Sequence, residues 1–173
     1  MSIRDAIDTD ADAIAAIYND AVINTTAIWN EVTVDADNRV AWMADRWRLG
    51  YPVLVAVDDA DGSVIGYASF GDWRAFDGYR HTVEHSVYVR RDRRGGGVGQ
   101  ALLLALIDRA RAIGKHVMVA AIEAGNTPSI ALHEKNGFRR TGLMPQVGMK
   151  FGRWLDLAFL QIILDDRPLP GTR

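Results

Sequence analysis

The stretch "VYVRRDRRGGGVGQALLLALIDRA", Val87 to Ala110, decides the fold. A β-branched apolar run enters four arginines around one aspartate, then three glycines, a valine and a fourth glycine. An apolar-periodic segment follows at once, the pattern of a strand turning into a helix. A helix N-terminus offers unpaired N–H groups and a partial positive charge, and glycines let an anion approach them without Cβ interference. Spacing narrows the choice of anion. The pattern GxxxxGK[ST] is absent, with Gln100 where a lysine would stand. GxGxxG fails as well, because Gly95-x-Gly97 continues to Gly99 and not to a glycine at position 100. What fits is Arg94-Gly95-Gly96-Gly97-Val98-Gly99, which is R-x-x-G-x-G.

Outward from the turn, "TVEHSVYV" reads as a strand alternating Val83, His85, Val87 and Val89 against Glu84, Ser86 and Tyr88. "VLVAV" and "VIGYASF", separated by "DDADG", read as a hairpin. Two helices precede it. The first is capped within Asp8–Asp10 and presents Ile14, Ile17, Tyr18 and Ala21; the second starts near Asp37 and presents Val40, Met43 and Trp47. Between them "TTAIWNEVTV" has no clean period and reads as a loop. Downstream, "HVMVAAI" is apolar enough for a central strand covered on both faces. A short helix in "NTPSIALHEKNGF" has Thr127 as N-cap and Pro128 at the first position, and "FRRTGL" and "LDLAFLQIIL" supply late strands. With "IRDA" as a first strand, the order is β-α-α-β-β-β-α-β-α-β-β: an α/β (α+β) domain with one mixed sheet and helices on both faces.

The 173 residues, 49% hydrophobic, fit one domain over 1–165 with a flexible tail over 166–173. A net charge of −2 gives no basic field for nucleic acid. The longest apolar run, "ALLLALI", is too short to span a membrane, and the acidic start lacks a signal-peptide pattern. Absence of cysteine removes disulfides and thiolate chemistry, and favours a cytoplasmic location. The histidines His81, His85, His116 and His133 form no HxH or HxxxH pair, so no metal site is expected.

R-x-x-G-x-G after a strand resembles the pyrophosphate-binding motif of the GCN5-related N-acetyltransferases (GNAT), and the element order resembles their fold along nearly the whole chain. "IYNDAV", "TVEHSVYV", "ALHEKNGF" and "VGMKFGRWLDLAFLQ" are similar to the phosphinothricin and methionine sulfoximine N-acetyltransferases within it. The resemblance implies a mostly antiparallel sheet splayed at the acetyl-CoA strand, acetyl-CoA as cosubstrate, a small amino acid as acceptor, and a homodimer. It assigns coenzyme contacts to Val87, Tyr88 and Val89, to the amides of Gly95, Gly96, Gly97, Val98, Gly99 and Gln100 beside Arg94, and to Asn126 and Ser129. "GDWRAF" matches the substrate-side loop, which makes Arg74, Ala75 and Phe76 acceptor contacts along with Glu84, His85 and Ser86.

Acyl transfer needs a neutral amine, and an α-ammonium must lose a proton first. Glu84, on the strand that would carry the thioester, is the expected base. His133, at the position of the family's acidic tyrosine, is the expected acid. His85 alternates away from Glu84, so only a bulge would bring both to one site, and it is placed as acceptor-adjacent. Arg74 and Lys150 are candidate donors to a sulfone or phosphinate, and Trp29 and Trp154 candidate pocket walls. The alternatives are acetylation of a peptide or protein N-terminus, a non-catalytic acetyl-CoA sensor, and a nucleotide-binding regulator.

Overall fold

The expected element order is observed as β1 (Ser2–Asp5), α1 (Ala11–Asn24), α2 (Ala36–Arg48), β2 (Val53–Val57), β3 (Val64–Asp72), β4 (Thr82–Val89), α3 (Val98–Ala112), β5 (Val117–Glu123), α4 (Thr127–Lys135), β6 (Arg139–Lys150) and β7 (Arg153–Ile163). The computed structural model describes residues 1–170; residues 171–173 of the expected tail lie outside the described residues. Within that tail, Arg167 donates to the Gly114 carbonyl at 2.8 Å and pairs with Asp165.

Among the described residues the strands form one sheet in the order β1-β2-β3-β4-β5-β7-β6, in which β4 and β5 alone run parallel. Strand alternation sends side chains into two separate cores. Val53 and Val55 of β2 pack with Ile14 and Ile17 of α1 and Met43 of α2. Leu54 and Ala56 of the same strand pack with Leu102, Leu103 and Leu106 of α3 and Ile130 of α4. Both faces of the sheet are therefore covered, which is why β2 and β5 read as unbroken apolar runs. Each fully buried leucine of α3 contributes about 1.5–3 kcal/mol of transfer energy.

Three local expectations are corrected. Trp47 is exposed; the inward side of α2 is filled instead by Met43 and by Arg39, whose guanidinium lies over the rings of Tyr18 and Trp42. The cap of α4 is Asn126, whose side chain accepts from the Ser129 amide, so Thr127 is the first helical residue. An amide oxygen caps as well as a hydroxyl, and the two candidates are adjacent in sequence. The strand begun by "FRRTGL" runs on to Lys150, with register shifts between Arg140 and Gly142 and between Met144 and Gly148. Its side chains are almost all exposed, so it carries no apolar alternation to reveal its length.

What positions the site is the middle of the sheet. β3 and β4 pair without a break from Asp72↔Val83 to Gly66↔Val89. The β4–β5 pairing stops at Glu84↔Val119. Beyond it the strands separate, and among the described residues no strand faces the backbone edge of β4 from His85 onward on that side.

Candidate active site

A cleft of about 1420 Å³ opens through this separation. The glycine turn closes one end. Gly95 and Gly97 have φ of +82° and +84°, the left-handed region that a β-carbon disfavours. Gly96 has no such φ, and an added Cβ would meet nothing closer than the Arg93 carbonyl at 3.8 Å. Gly99 lies inside α3, where a Cβ would touch Leu132 at 3.5 Å and Val89 at 3.6 Å. So only two of the four glycines are demanded by backbone conformation. Gly97 caps α3 without any side-chain hydrogen bond, which leaves the first amides of the helix free for an anion.

The turn's arginines divide. Arg90 pairs with Asp92 and Arg93 with Asp58, each at 2.7 Å. Arg94 donates to the Val89 carbonyl at 3.2 Å and reaches Asp20 at 3.5 Å. Arg93 and Arg94 border the cleft.

Glu84 lines the cleft half-buried, and among the described residues no donor hydrogen-bonds to its carboxylate. Burial pushes its pKa up, and the charge of Arg74 pulls it partly back. A carboxylate whose pKa burial has raised, and which is open to a cleft, is a stronger proton acceptor than an ordinary glutamate.

His85 and His133 meet below the gap, with Nε2 atoms 3.1 Å apart and rings stacked at a 13° interplanar angle. His133 Nδ1 lies 2.7 Å from the Ser129 carbonyl, an acceptor only, so the neutral ring carries its proton on Nδ1. Its Nε2 then accepts from His85 Nε2–H, and His85 Nδ1 is left buried with no hydrogen-bond partner. Burial depresses both imidazoles, His85 to about 3 with help from its neighbour, so both are neutral at pH 7. His133 thus has its one proton committed to a carbonyl.

Placement of the remaining expected residues is uneven. Ser86, Val87, Tyr88, Val89, Gln100, Asn126 and Ser129 line the cleft. Arg74, Ala75 and Phe76 do not: Arg74 stacks over Trp73 with its guanidinium carbon 3.8 Å from the ring centroid, and Phe76 is 78% exposed. Val98 is buried, offering only its amide, and Gly96 does not border the cleft. Glu84 and His85 share the cleft although β4 has no bulge. The gap between β4 and β5 opens the sheet from face to face, so alternating side chains reach one space. Lys150 is not a donor to the cleft, because its ammonium is spent on the carbonyls of Val22, Thr25 and Ile28. Thr26, Glu123, Phe151 and Leu157 line the cleft without having been singled out in the sequence. Nothing in their local strings marks them, since their neighbours in space are distant in the chain. Among the described residues no group of His, Asp or Glu side chains could hold a metal ion.

A model of the acetyltransferase (GNAT) family matches residues 14–138. The chain is 66% identical, over 95% of its length and 95% of the relative's, to an L-methionine sulfoximine/L-methionine sulfone acetyltransferase of Pseudomonas aeruginosa. It is 40% identical to a phosphinothricin N-acetyltransferase of Alcaligenes faecalis, over 98% of this chain and 86% of that one. A solved structure from Salmonella typhimurium, yncA with its cofactor acetyl-CoA, superposes with a TM-score of 0.96 at 58% identity, covering 99% of this chain and 98% of the other.

Proposed function

The chain belongs to the GNAT acetyltransferase family, and from that premise we propose that it transfers acetyl from acetyl-CoA to the α-amine of a small amino acid such as methionine sulfone, methionine sulfoximine or phosphinothricin. The observation that carries this reading is Glu84: a half-buried carboxylate without a hydrogen-bond donor, at the point where β4 parts from β5. The residues present fit the coenzyme. The free amides of the glycine turn suit its pyrophosphate, and the unpaired edge of β4 suits its pantetheine amides. Bound there, it supplies the activated acetyl group. Glu84 accepts a proton from the acceptor ammonium, directly or through water, and becomes the neutral acid while the amine gains its lone pair. The amine nitrogen would form the new carbon–nitrogen bond and release its second proton to water as the carbon–sulfur bond breaks, the electron pair going with the sulfur. Neutral His133, its one proton held on Nδ1 and donated to the Ser129 carbonyl, is not the donor to that sulfur; water or the protonated Glu84 supplies the proton.

The same reading includes a homodimer and a cytoplasmic location. Supporting the first, Leu143, Met144, Val147 and Met149 of β6 and Trp154 of β7 are all exposed, and large apolar side chains left uncovered on one hairpin are of the kind that association buries. Light scattering at several concentrations tests it. Supporting the second, a chain without cysteine has no need of an oxidising compartment. Among the described residues no helix is long and apolar enough to cross a membrane.

The test of function is free-thiol release from acetyl-CoA, with methionine sulfone, methionine sulfoximine, phosphinothricin, glutamate and a short peptide offered separately. Release with the amino acids and little with the peptide is expected. Release with the peptide alone would make the protein a peptide acetyltransferase, and tight coenzyme binding without release would make it a sensor.

A further inference from the structure

We infer that Trp29 is the specificity-determining wall of the acceptor site, and that Lys150 and Gly148 are the positioning residues that hold it; this rests on the amino-acid acetyltransferase reading above. Residues 25–35, between α1 and α2, contain no helix or strand, yet the segment is tied down along its length. Asn19 brackets its far end, donating to the Val34 carbonyl at 2.8 Å and accepting from the Val34 amide at 2.9 Å. Thr25 Oγ1 donates to the Ala21 carbonyl at 2.7 Å, and Thr26 Oγ1 reaches Glu123 at 3.2 Å.

The central tie is Lys150, on the last residue of β6 and 2% exposed. Its three N–H bonds go to the carbonyls of Val22, Thr25 and Ile28. Two of these belong to the end of α1 and the turn after it, where a cation also meets the negative end of the helix dipole. Gly148, two residues earlier on the same strand, lets the indole of Trp29 lie flat on the backbone: a Cβ there would stand 2.2 Å from Cε3 and Cζ3. The indole N–H donates to the Thr26 carbonyl at 2.9 Å, fixing the ring's rotation. β6 therefore contributes no side chain of its own to this wall. It supplies a flat seat and a buried cation, and both act on Trp29.

Held this way, Trp29 faces the cleft beside Ile28, Phe151 and Leu157. An indole face with apolar neighbours receives a polarisable, weakly hydrated end such as an S-methyl group, and receives a carboxylate poorly. The wall selects methylsulfonyl or methylsulfoximinyl amino acids over glutamate. Because it is pre-ordered, its contribution appears in acceptor affinity.

The experiment compares kcat and KM for methionine sulfone and glutamate in the wild type, Trp29→Ala, Trp29→Phe and Gly148→Ala, with acetyl-CoA affinity measured separately. Trp29→Ala is expected to lower the sulfone-to-glutamate ratio of kcat/KM by roughly 10- to 200-fold, the range a side-chain contact in an apolar pocket commands, and mainly through KM. Gly148→Ala, which removes no atom from the pocket, is expected to move the same ratio in the same direction, and Trp29→Phe to fall between. Coenzyme affinity stays unchanged. A folded Trp29→Ala enzyme with the wild-type ratio would overturn the inference, as would a loss confined to coenzyme binding. A wild type that acetylates none of the amino acids would overturn the reading beneath it, and the inference with it.

Discussion

The two ends of the cleft are built in opposite ways. The end proposed for the phosphates is backbone: seven consecutive residues, Arg94 to Gln100, form the turn that opens α3, and its amides would be the binding groups. The acceptor end is side chains, with Glu84 from β4, Trp29 from the segment after α1, Glu123 from β5 and Phe151 from the β6–β7 turn. A backbone site tolerates few residues but is contiguous. A side-chain site exists only once the sheet has assembled and the strands have parted. Damage to each end should therefore fail differently, and four measurements break or sharpen that contrast.

The largest effect is expected at Glu84. Glu84→Gln keeps the shape and removes the base, so turnover should fall by about two to four orders of magnitude while acetyl-CoA binding, read by calorimetry, stays intact. Turnover near wild type in a folded variant would remove Glu84 from the chemistry and leave the acceptor end without a base.

Gly97→Val attacks the other end. Space is not the problem, since nothing lies within 4 Å of a Cβ there; the problem is φ of +84°. Left-handed strain of about 1–2 kcal/mol per non-glycine residue should weaken coenzyme binding by about tenfold or more. Gly96→Ala separates strain from approach. Its methyl has room and its backbone needs no glycine, so any loss of affinity there reports the distance between amide and phosphate. Equal affinity in both variants and the wild type would mean that the turn does not carry the anion.

The same contrast explains what could be read beforehand. The turn, the hairpin and α3 are local strings with local causes, and each stands where it was expected. That Glu84 stands off the core face was legible, because strand alternation places it opposite Val83 and Val87. The sharing of one cleft by Glu84 and His85 was not legible, because it depends on where the β4–β5 ladder ends, a property of two strands 28 residues or more apart in the chain. Lys150 misled for a related reason. A lysine in a sequence reads as a free cation, and only the fold, which brings the carbonyls of Val22, Thr25 and Ile28 to its ammonium, reveals that its protons are spent. Arg39 was passed over in favour of Trp47 on α2, because a guanidinium between two aromatic rings satisfies burial as well as an indole does.

A smaller effect on turnover is expected at His133, despite its central place. His133→Gln should lower turnover by less than roughly tenfold, well short of the 10²–10⁴ that a lost general acid costs. The loss should appear in stability. The Ser129 carbonyl and the His85 Nε2–H would lose the geometry of their partner, at about 1–3 kcal/mol for a buried group left unsatisfied. Thermal unfolding checks it, at roughly 2–4 °C per kcal/mol for a chain of this size. A loss of turnover as large as that of Glu84→Gln, with unfolding unchanged, would restore His133 as the acid.

The smallest effect is a displacement along the pH axis, and its sign is fixed by Arg74. Glu84 acts as base only when ionised, so activity is lost as pH falls through its pKa. Burial has raised that pKa above the ordinary glutamate value of about 4.3, and the Arg74 charge opposes the rise. Arg74→Ala removes the opposing charge, so Glu84 protonates more readily and the acid limb of kcat/KM should move to higher pH. The alkaline side, set by the acceptor's own ammonium, should stay in place. Arg74 is exposed, so its influence is open to screening: added salt should move the wild-type limb in the same direction and leave that of Arg74→Ala nearly still. A limb that ignores both changes would belong to another group. The acceptor end would then have lost the electrostatic link between its exposed loop and its half-buried base.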